Sequence, residues 1–313
     1  MIRVALIGAG MMGKAHVRTV NADPNAEICA VCTTRLETAQ PLAEKAGTAV
    51  AYDDYRKMLE IEKPDCVIIN LPHNLHESCV KDCAEAGCHI LLEKPMSVTY
   101  ESCLRIIDIC KKNNVILQVA HPQNSMPQLR TCLDIIKSGK LGKVVMVQVH
   151  RSHTYYHPGR PKWFWKKETA GGGISINLGA HCLDIFCSVA GAPIKSITGK
   201  CTYIDGMDVD ASAQCFVEAE NGVTGVVTLS GYNMARTEPT IIHLTNGSIR
   251  LRNEIDLAIS QNDGDWEEVD CSQYPVAFTH QWASFMEAMR TGVVTQCTGE
   301  YAANILWAIE QLW

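Results

Sequence analysis

An excess of basic residues, a leader-like opening and a membrane-length apolar run are all lacking in this chain. Its 313 residues carry 28 Lys and Arg against 34 Asp and Glu, a formal net charge of −6. That balance leaves no electrostatic footprint for nucleic acid or an anionic membrane. Met1 leads directly into a strand-like segment with no basic and apolar leader before it, so the expectation is a cytoplasmic protein with neither partner. Internal repeats and low-complexity linkers are missing too, and a chain this long has room for two domains with sizeable cores. Metal-site spacing is also wanting. His150, His153 and His157 stand near a strand end without nearby cysteine, and no H-E-x-x-H occurs, so no metal is expected. Cysteine, by contrast, is abundant, but the 15 residues are scattered through apolar segments of a chain too large to need disulfide staples. Cys29 and Cys32 match C-x-x-C, yet they lie in a predicted strand, where residues three apart point to opposite faces. Free buried thiols are the expectation.

What is present begins at residue 2. The apolar run 4–7 leads into Gly8-Ala-Gly10-Met11-Met12-Gly13 and then a helix-compatible stretch through His16. In that context the glycines form a dinucleotide-binding turn. Gly8 makes the tight turn, Gly10 lets a pyrophosphate approach the backbone, and Gly13 lets the helix pack on its strand, so the helix N-terminus faces the phosphates.

Strand and helix then alternate: strands over 27–32, 66–70, 89–92 and 115–119, helices over 38–46, 75–86 and 100–112. This predicts a parallel sheet covered on both faces, with ligands at the carboxyl ends of its strands. Near residue 121 the pattern changes. A helix over 128–138 precedes strands over 143–153, 196–204, 211–219, 223–230, 240–245 and 248–251, with Asn221-Gly222 and Asn246-Gly247 at hairpin positions. The expected fold is α/β, a Rossmann domain over 1–121 followed over 122–313 by an α/β domain with a large, mainly antiparallel open sheet. A sheet face uncovered by helices predicts a homo-oligomer, a dimer or tetramer.

Two segments hold residues suited to chemistry. Glu93-Lys94-Pro95 follows a buried strand; it is either a solvated loop or a lysine held beside a nicotinium cation, where like charge and desolvation lower its proton affinity and suit it to proton transfer. Gly171-Gly172-Gly173 opens a segment with Asn177 and His181 at i and i+4 on one helix face. Those two side chains either meet one substrate or satisfy neighbouring backbone.

Taken together, the glycine turn through His16, Leu71-Pro72-His73-Asn74-Leu75-His76, Glu93-Lys94-Pro95 and 171–184 through His181 and Asp184 resemble the glucose-fructose oxidoreductase and inositol dehydrogenase (Gfo/Idh/MocA) family. The resemblance covers almost the whole chain. It implies NAD(P)-dependent redox chemistry on a secondary hydroxyl, or the ketone, of a sugar, cyclitol or related polyol. Within it, Lys94 contacts the nicotinamide ribose and the reacting hydroxyl, and His181 is the acid/base. Gly8, Gly10, Met11, Met12, Gly13, Leu71, Pro72, His73, His76 and Glu93 fall on the cofactor side, His73 lining the nicotinamide. Asn177 stands where the inositol dehydrogenase branch has aspartate. His121 and Asn124 lie in the stretch before the first helix of the second domain, on the substrate side, with Asn124 where arginine is frequent. A redox-neutral enzyme that recycles a bound cofactor, and a non-catalytic dinucleotide-binding regulator, are the alternative readings.

Cofactor choice turns on the end of the second strand. No aspartate stands at position 33 to bind ribose hydroxyls and repel a 2′-phosphate; Thr33, Thr34 and Arg35 suit a phosphate, so NADP is preferred and NAD is the alternative. Further on, Tyr156, Trp163 and Trp165 lie in an aromatic and basic loop that forms either a sugar-stacking wall or an interface. Tyr156 and Trp163 are the substrate candidates there.

Overall fold

The computed structural model describes residues 1–47, 49–232, 235–252, 254–262 and 264–313. In chain order the elements begin β1 (Ile2–Ile7), α1 (Met11–Asn21), β2 (Ala26–Cys32), α2 (Leu36–Lys45), β3 (Val50–Tyr52), α3 (Tyr55–Glu62), β4 (Cys66–Ile69), α4 (His76–Glu85), β5 (His89–Glu93), α5 (Tyr100–Lys112) and β6 (Leu117–Ala120). Then follow α6 (Pro127–Ser138), β7 (Val144–Ser152), α7 (Lys167–Ala170), α8 (Ala180–Ala190), β8 (Ile194–Tyr203), β9 (Asp210–Ala219) and β10 (Thr224–Ser230). The chain finishes with β11 (Pro239–Leu244), β12 (Gly247–Arg252), β13 (Asp256–Gln261), β14 (Glu267–Glu268), α9 (Ala277–Thr291) and α10 (Gly299–Glu310).

Two compact units result, and they do not follow a single cut after residue 121. The first comprises Met1–Ser97, Glu101–Ala120 and Phe278–Ala302; the second comprises Val98–Tyr100, His121–Ala277 and Ala303–Trp313. The return of α9 to the first unit has a packing cause. Trp282 and Phe285 join Val4, Leu6, Val17 and Leu42 in one core cluster, and the Trp282 indole donates to Asp23 at 2.8 Å. Full burial of Phe285 contributes about 2 to 3 kcal/mol, which nothing local in the sequence of α9 announces.

In the first unit the strands pair in parallel in the order β3-β2-β1-β4-β5-β6. Their continuous apolar runs suit a sheet covered on both faces: β4 is buried at every residue and β1 from Val4 onward. The order reverses between β1 and β4, which opens a crevice at their carboxyl ends. There Ile7 pairs with Ile69 and Ile69 with Leu92, so Gly8, Asn70 and Glu93 come next in line along one sheet edge.

The second unit is built on the sheet β14-β13-β12-β11-β7-β10-β9-β8. Its pairings are antiparallel except β7 with β10. Alternation along the strands separates the faces. Val147, Val149, Val217, Val227 and Ile242 are buried, whereas Val145, Met146, Phe216 and Val226 are exposed. The helices α6 and α8 pack against strands of this sheet.

Expected elements fall within two residues of the observed ones. The short β3, and α3, α7, β13, β14, α9 and α10, carry no expectation in the sequence reading. One correction concerns apolar length. The helical stretch Lys167–Ala190 is long and apolar enough to cross a membrane by length and composition, although 89% of its apolar window is buried. Its hydrophobicity serves the core of the second unit.

Candidate functional site

The first unit supplies a cradle at the switch point. Gly8 adopts φ +101°, which only glycine tolerates freely, and a Cβ there would fall 2.3 Å from the Asn70 carbonyl oxygen. A Cβ on Gly13 would lie 2.6 Å from the Gly8 oxygen, so α1 packs close on the turn. Over Gly10 nothing lies within 4 Å. Gly10 is the N-cap of α1, makes no side-chain cap, and is followed by no acidic residue in the first turn. The first N–H groups of the helix therefore face open space with a positive dipole end behind them. Beside them the Asn70 side-chain amide is buried with neither its oxygen nor its nitrogen hydrogen-bonded. Uncapped N–H groups, room over Gly10 and an unsatisfied buried amide fit a phosphate- and hydroxyl-rich dinucleotide. Met11 is exposed and Met12 half-buried at this helix start. The sequence reading singled out the glycines and methionines but not Asn70, whose only sequence signal is its place at the end of an apolar strand.

At the end of β2, Thr33 Oγ1 donates to the Arg35 carbonyl at 2.8 Å and accepts the Arg35 N–H at 3.2 Å. Thr34 and Arg35 are exposed, Arg35 as the N-cap of α2. The register adds a feature absent from the sequence reading: Cys32 pairs with Tyr52, so Asp53 and Asp54 follow at the same edge. Burial first, and then the charges of Asp54 and Asp53, push the Cys32 thiol up to about 12. Asp54 is engaged as the cap of α3, accepting from the Arg56 and Lys57 N–H groups.

After β4, Leu71 and Pro72 lead into a short 3-10 turn that begins at buried His73. His76 is fully buried, its ring nitrogens 3.0 Å from the Leu71 carbonyl and 3.2 Å from that of Met96. Burial lowers its pKa, opposed by those carbonyls. Its ring ties the end of β4 to the loop after β5. Glu93 is likewise turned inward. Its Oε1 lies 2.9 Å from His16 Nε2, both side chains are buried, and Phe278 stands edge-on to His16 at 5.3 Å. The pair joins α1, which starts at the glycine turn, to the residue before half-buried Lys94.

In the second unit, residues Ser175–Gly179 form a π-helical segment that runs into α8. The wider turn replaces the regular α-helical spacing expected for Asn177 and His181, and such segments recur at functional sites. Asn177 Nδ2 donates to the Tyr155 hydroxyl at 2.8 Å, and burial pushes that phenol up to about 12. His181 is 8% exposed. One turn further on, Asp184 accepts from Asn124 Nδ2, Ser188 donates to Asn124 Oδ1 at 3.0 Å, and His121 Nδ1 lies 3.9 Å from Asp184 Oδ2. His121 and Asp184 are buried. Asn124, expected on the substrate side, thus braces α8 through Asp184 and Ser188, and His121, expected there too, lies beside the same carboxylate.

The aromatic loop is ordered by its own contacts. Arg160 lies over the Tyr155 ring at 3.6 Å and the Phe164 ring at 4.7 Å. Trp163 stacks on Phe164 with centroids 3.7 Å apart, and the Tyr156 hydroxyl donates to the Asp210 carbonyl at 2.7 Å. The Tyr156 hydroxyl proton is thereby committed to the backbone, and its oxygen can still accept a hydrogen bond. His150 makes hydroxyl contacts with Thr228, Ser152 and Thr237. Among the described residues no group of three His, Cys, Asp or Glu side chains is placed to hold a metal, and the cysteines are free thiols.

A Rossmann unit with an anion-ready glycine turn, and an open-sheet unit whose buried π-helical segment and α8 carry Asn177, His181 and Asp184, define a dinucleotide-binding architecture. Residues 2–121 match the oxidoreductase family with NAD-binding Rossmann fold, and residues 129–250 match the GFO/IDH/MocA C-terminal domain. The rhizopine catabolism protein MocA of Rhizobium meliloti is 30% identical over 236 residues, 72% of this chain and 70% of that protein. D-glucoside 3-dehydrogenase of Escherichia coli K12 is 34% identical over 200 residues, 63% of this chain and 56% of that one. The match thus spans little more than half the length of the Escherichia coli relative. Among solved structures, levoglucosan dehydrogenase in complex with NADH and L-sorbose superposes with a TM-score of 0.92 at 20% identity, covering 99% of this chain and 95% of that one; this likeness concerns the fold. The chain belongs to the GFO/IDH/MocA family of NAD-binding oxidoreductases.

Proposed function

We propose that the protein is an NAD(P)-dependent dehydrogenase that oxidises a secondary hydroxyl of a sugar, cyclitol or related polyol, or reduces the corresponding ketone. The observation that carries this reading is one edge of the parallel sheet. The glycine turn, the unsatisfied Asn70 amide and the Glu93-Lys94 step stand in register at the carboxyl ends of β1, β4 and β5. Lys94 follows Glu93 at this edge, and in this reading its ammonium acts beside the dinucleotide cradle. The dinucleotide supplies a hydride acceptor at its nicotinamide ring. The chain's residues do the rest: the N–H groups of α1 hold phosphate, and Lys94 orients and polarises the reacting hydroxyl. His181 takes the hydroxyl proton as the carbon loses its hydride. The names of the glucoside and levoglucosan dehydrogenases support a polyol substrate.

The decisive experiment follows growth of the reduced-nicotinamide absorbance with a panel of sugars and cyclitols and either NAD or NADP. Lys94→Ala should keep dinucleotide affinity and lose about 10²-fold or more in single-turnover hydride transfer. Near-normal chemistry in that variant would reduce Lys94 to a turn residue.

For the dinucleotide, Arg35 at the exposed start of α2 favours NADP, since a guanidinium pairs with a 2′-phosphate. The neighbouring Asp53 favours NAD through repulsion of the same group. We take Arg35 to prevail, because its side chain is exposed and makes no ion pair among the described residues. Arg35→Ala should weaken NADP binding by about 1.5 to 3 kcal/mol and leave NAD nearly unchanged. Calorimetric titration with both dinucleotides checks it, and tighter NAD binding by the wild type would reverse the assignment.

A further inference from the structure

The second unit buries a carboxylate that, among the described residues, no cation pairs with. Asp210, the first residue of β9, is 1% exposed and forms no ion pair among the described residues. Burial raises its pKa, opposed by the hydrogen bonds it receives. Those bonds come from one place: the Gly173 N–H to Oδ1, the Ser175 N–H to Oδ2 and the Ser175 hydroxyl to Oδ1, each at 2.8 Å. A buried charge is costly unless its hydrogen-bonding capacity is met. Here it is met by the backbone at the start of the π-helical segment.

Four further contacts close on the same turn. The backbone oxygen of Asp210 accepts from the Tyr156 hydroxyl at 2.7 Å, and a Cβ on Gly173 would fall 1.9 Å from that oxygen. The Trp313 indole N–H donates to Ser175 Oγ at 3.3 Å. Its ring leaves no room for a side chain on Gly172, where a Cβ would lie 2.4 Å away. Ser175 precedes Asn177 by two residues and His181 by six. Because a helix propagates the orientation of its first turn, whatever fixes 173–175 fixes where those two side chains point.

We propose that Asp210 is a positioning residue for His181: its carboxylate sets the start of the π-helical segment and, through it, the direction of Asn177 and His181. The inference rests on the assignment of proton transfer to His181.

Asp210→Asn tests it, since an amide offers one acceptor and turns an NH2 towards an N–H donor. Four readouts are taken: kcat and KM on the polyol the wild type oxidises best, NADP and NAD affinity, hydrogen exchange of the 173–181 amides, and the His181 imidazole titration by NMR, assigned through His181→Gln. Expected are a loss of about 10²-fold in kcat, a KM change below about threefold and unchanged dinucleotide affinity. Exchange of the 173–181 amides should quicken by about tenfold, and the imidazole titration should move. Ser175→Ala keeps both backbone bonds and should lose no more than about threefold in kcat. A folded Asp210→Asn with wild-type kcat, exchange and imidazole titration overturns the proposal. So does an activity loss that follows only the folded fraction. Should Asp210→Asn not fold, Asp210→Glu decides, because its extra methylene moves the carboxylate off the Gly173 and Ser175 N–H groups while keeping the charge: unchanged exchange over 173–181 and unchanged kcat overturn the proposal, and quickened exchange with lowered kcat upholds it. If the wild type oxidises no polyol, the dehydrogenase reading fails, while the exchange and imidazole measurements still judge the positioning.

Discussion

At the scale of single residues, buried polar pairing decides which candidate side chains are available for chemistry. His76, Glu93, Asn124 and the Tyr156 hydroxyl all have protein partners that tie separate segments of the scaffold together. Asn177 is the informative case. As an amide it donates to the Tyr155 hydroxyl, whereas a carboxylate at that position would accept the Tyr155 proton over the same distance, so Asn177→Asp should fold. The added negative charge, one helical turn before His181, favours the protonated imidazole and raises its pKa by about one unit. Alcohol oxidation needs the neutral base. The acidic limb of the rate profile should therefore move to higher pH by a similar amount, and His181→Ala should remove that limb along with about 10² to 10⁴ of the rate. Steady-state kinetics across pH checks both; an unmoved limb in an active Asn177→Asp enzyme would uncouple the two side chains.

Among the elements, the turn from β1 into α1 separates packing from ligand approach at two glycines three residues apart. Gly10 has open space where a Cβ would go, and Gly13 has a backbone oxygen 2.6 Å away. Gly10→Ala should leave the melting temperature within about 1 °C and weaken dinucleotide binding by about tenfold or more, because the methyl occupies the approach of the phosphates. Gly13→Ala should cost about 1 to 3 kcal/mol of stability, since α1 must lift from the turn. Thermal unfolding paired with dinucleotide titration distinguishes them; equal effects at both positions would deny the division. The same element-level logic explains the His16–Glu93 bridge. It ties the helix that begins at the phosphate turn to the strand end that delivers Lys94, 77 residues later in sequence.

For the whole molecule, the open face of the large sheet carries the remaining consequence. Phe216 pairs across β9 and β10 with Val226, and Val226 across β7 with Gln148, giving a row whose Phe216 and Val226 are 49% and 42% exposed. Met146, two residues before Gln148 on β7 and 37% exposed, adds to this face, and exposed apolar side chains gathered on one sheet face usually meet a partner. We propose that a second copy of the chain covers it. The wild type should sediment as a dimer or larger, and Phe216→Glu should shift it to monomer at the same concentration, because a buried carboxylate without a partner opposes association. A wild type that stays monomeric at all concentrations would remove the proposal.

The amino-acid sequence by itself determined what local pattern can carry. Continuous apolar runs and the spacing of Gly8, Gly10 and Gly13 specify parallel strands and a phosphate turn, because side-chain periodicity and backbone sterics act over a few residues. The change to alternating segments past residue 121 likewise specifies the second sheet. Val50–Tyr52 was too short to show a period, and its position beside β2, which brings Asp53 to the end of Thr33's strand, exists only in the folded sheet. What the tertiary structure alone decided are relations between distant residues. Trp282 and Phe285 return to the first core, His16 reaches Glu93, and Asp210 reaches back to Gly173 and Ser175. No local signal marks these, since a buried charge or ring finds its partner by packing, and packing joins residues irrespective of their separation along the chain.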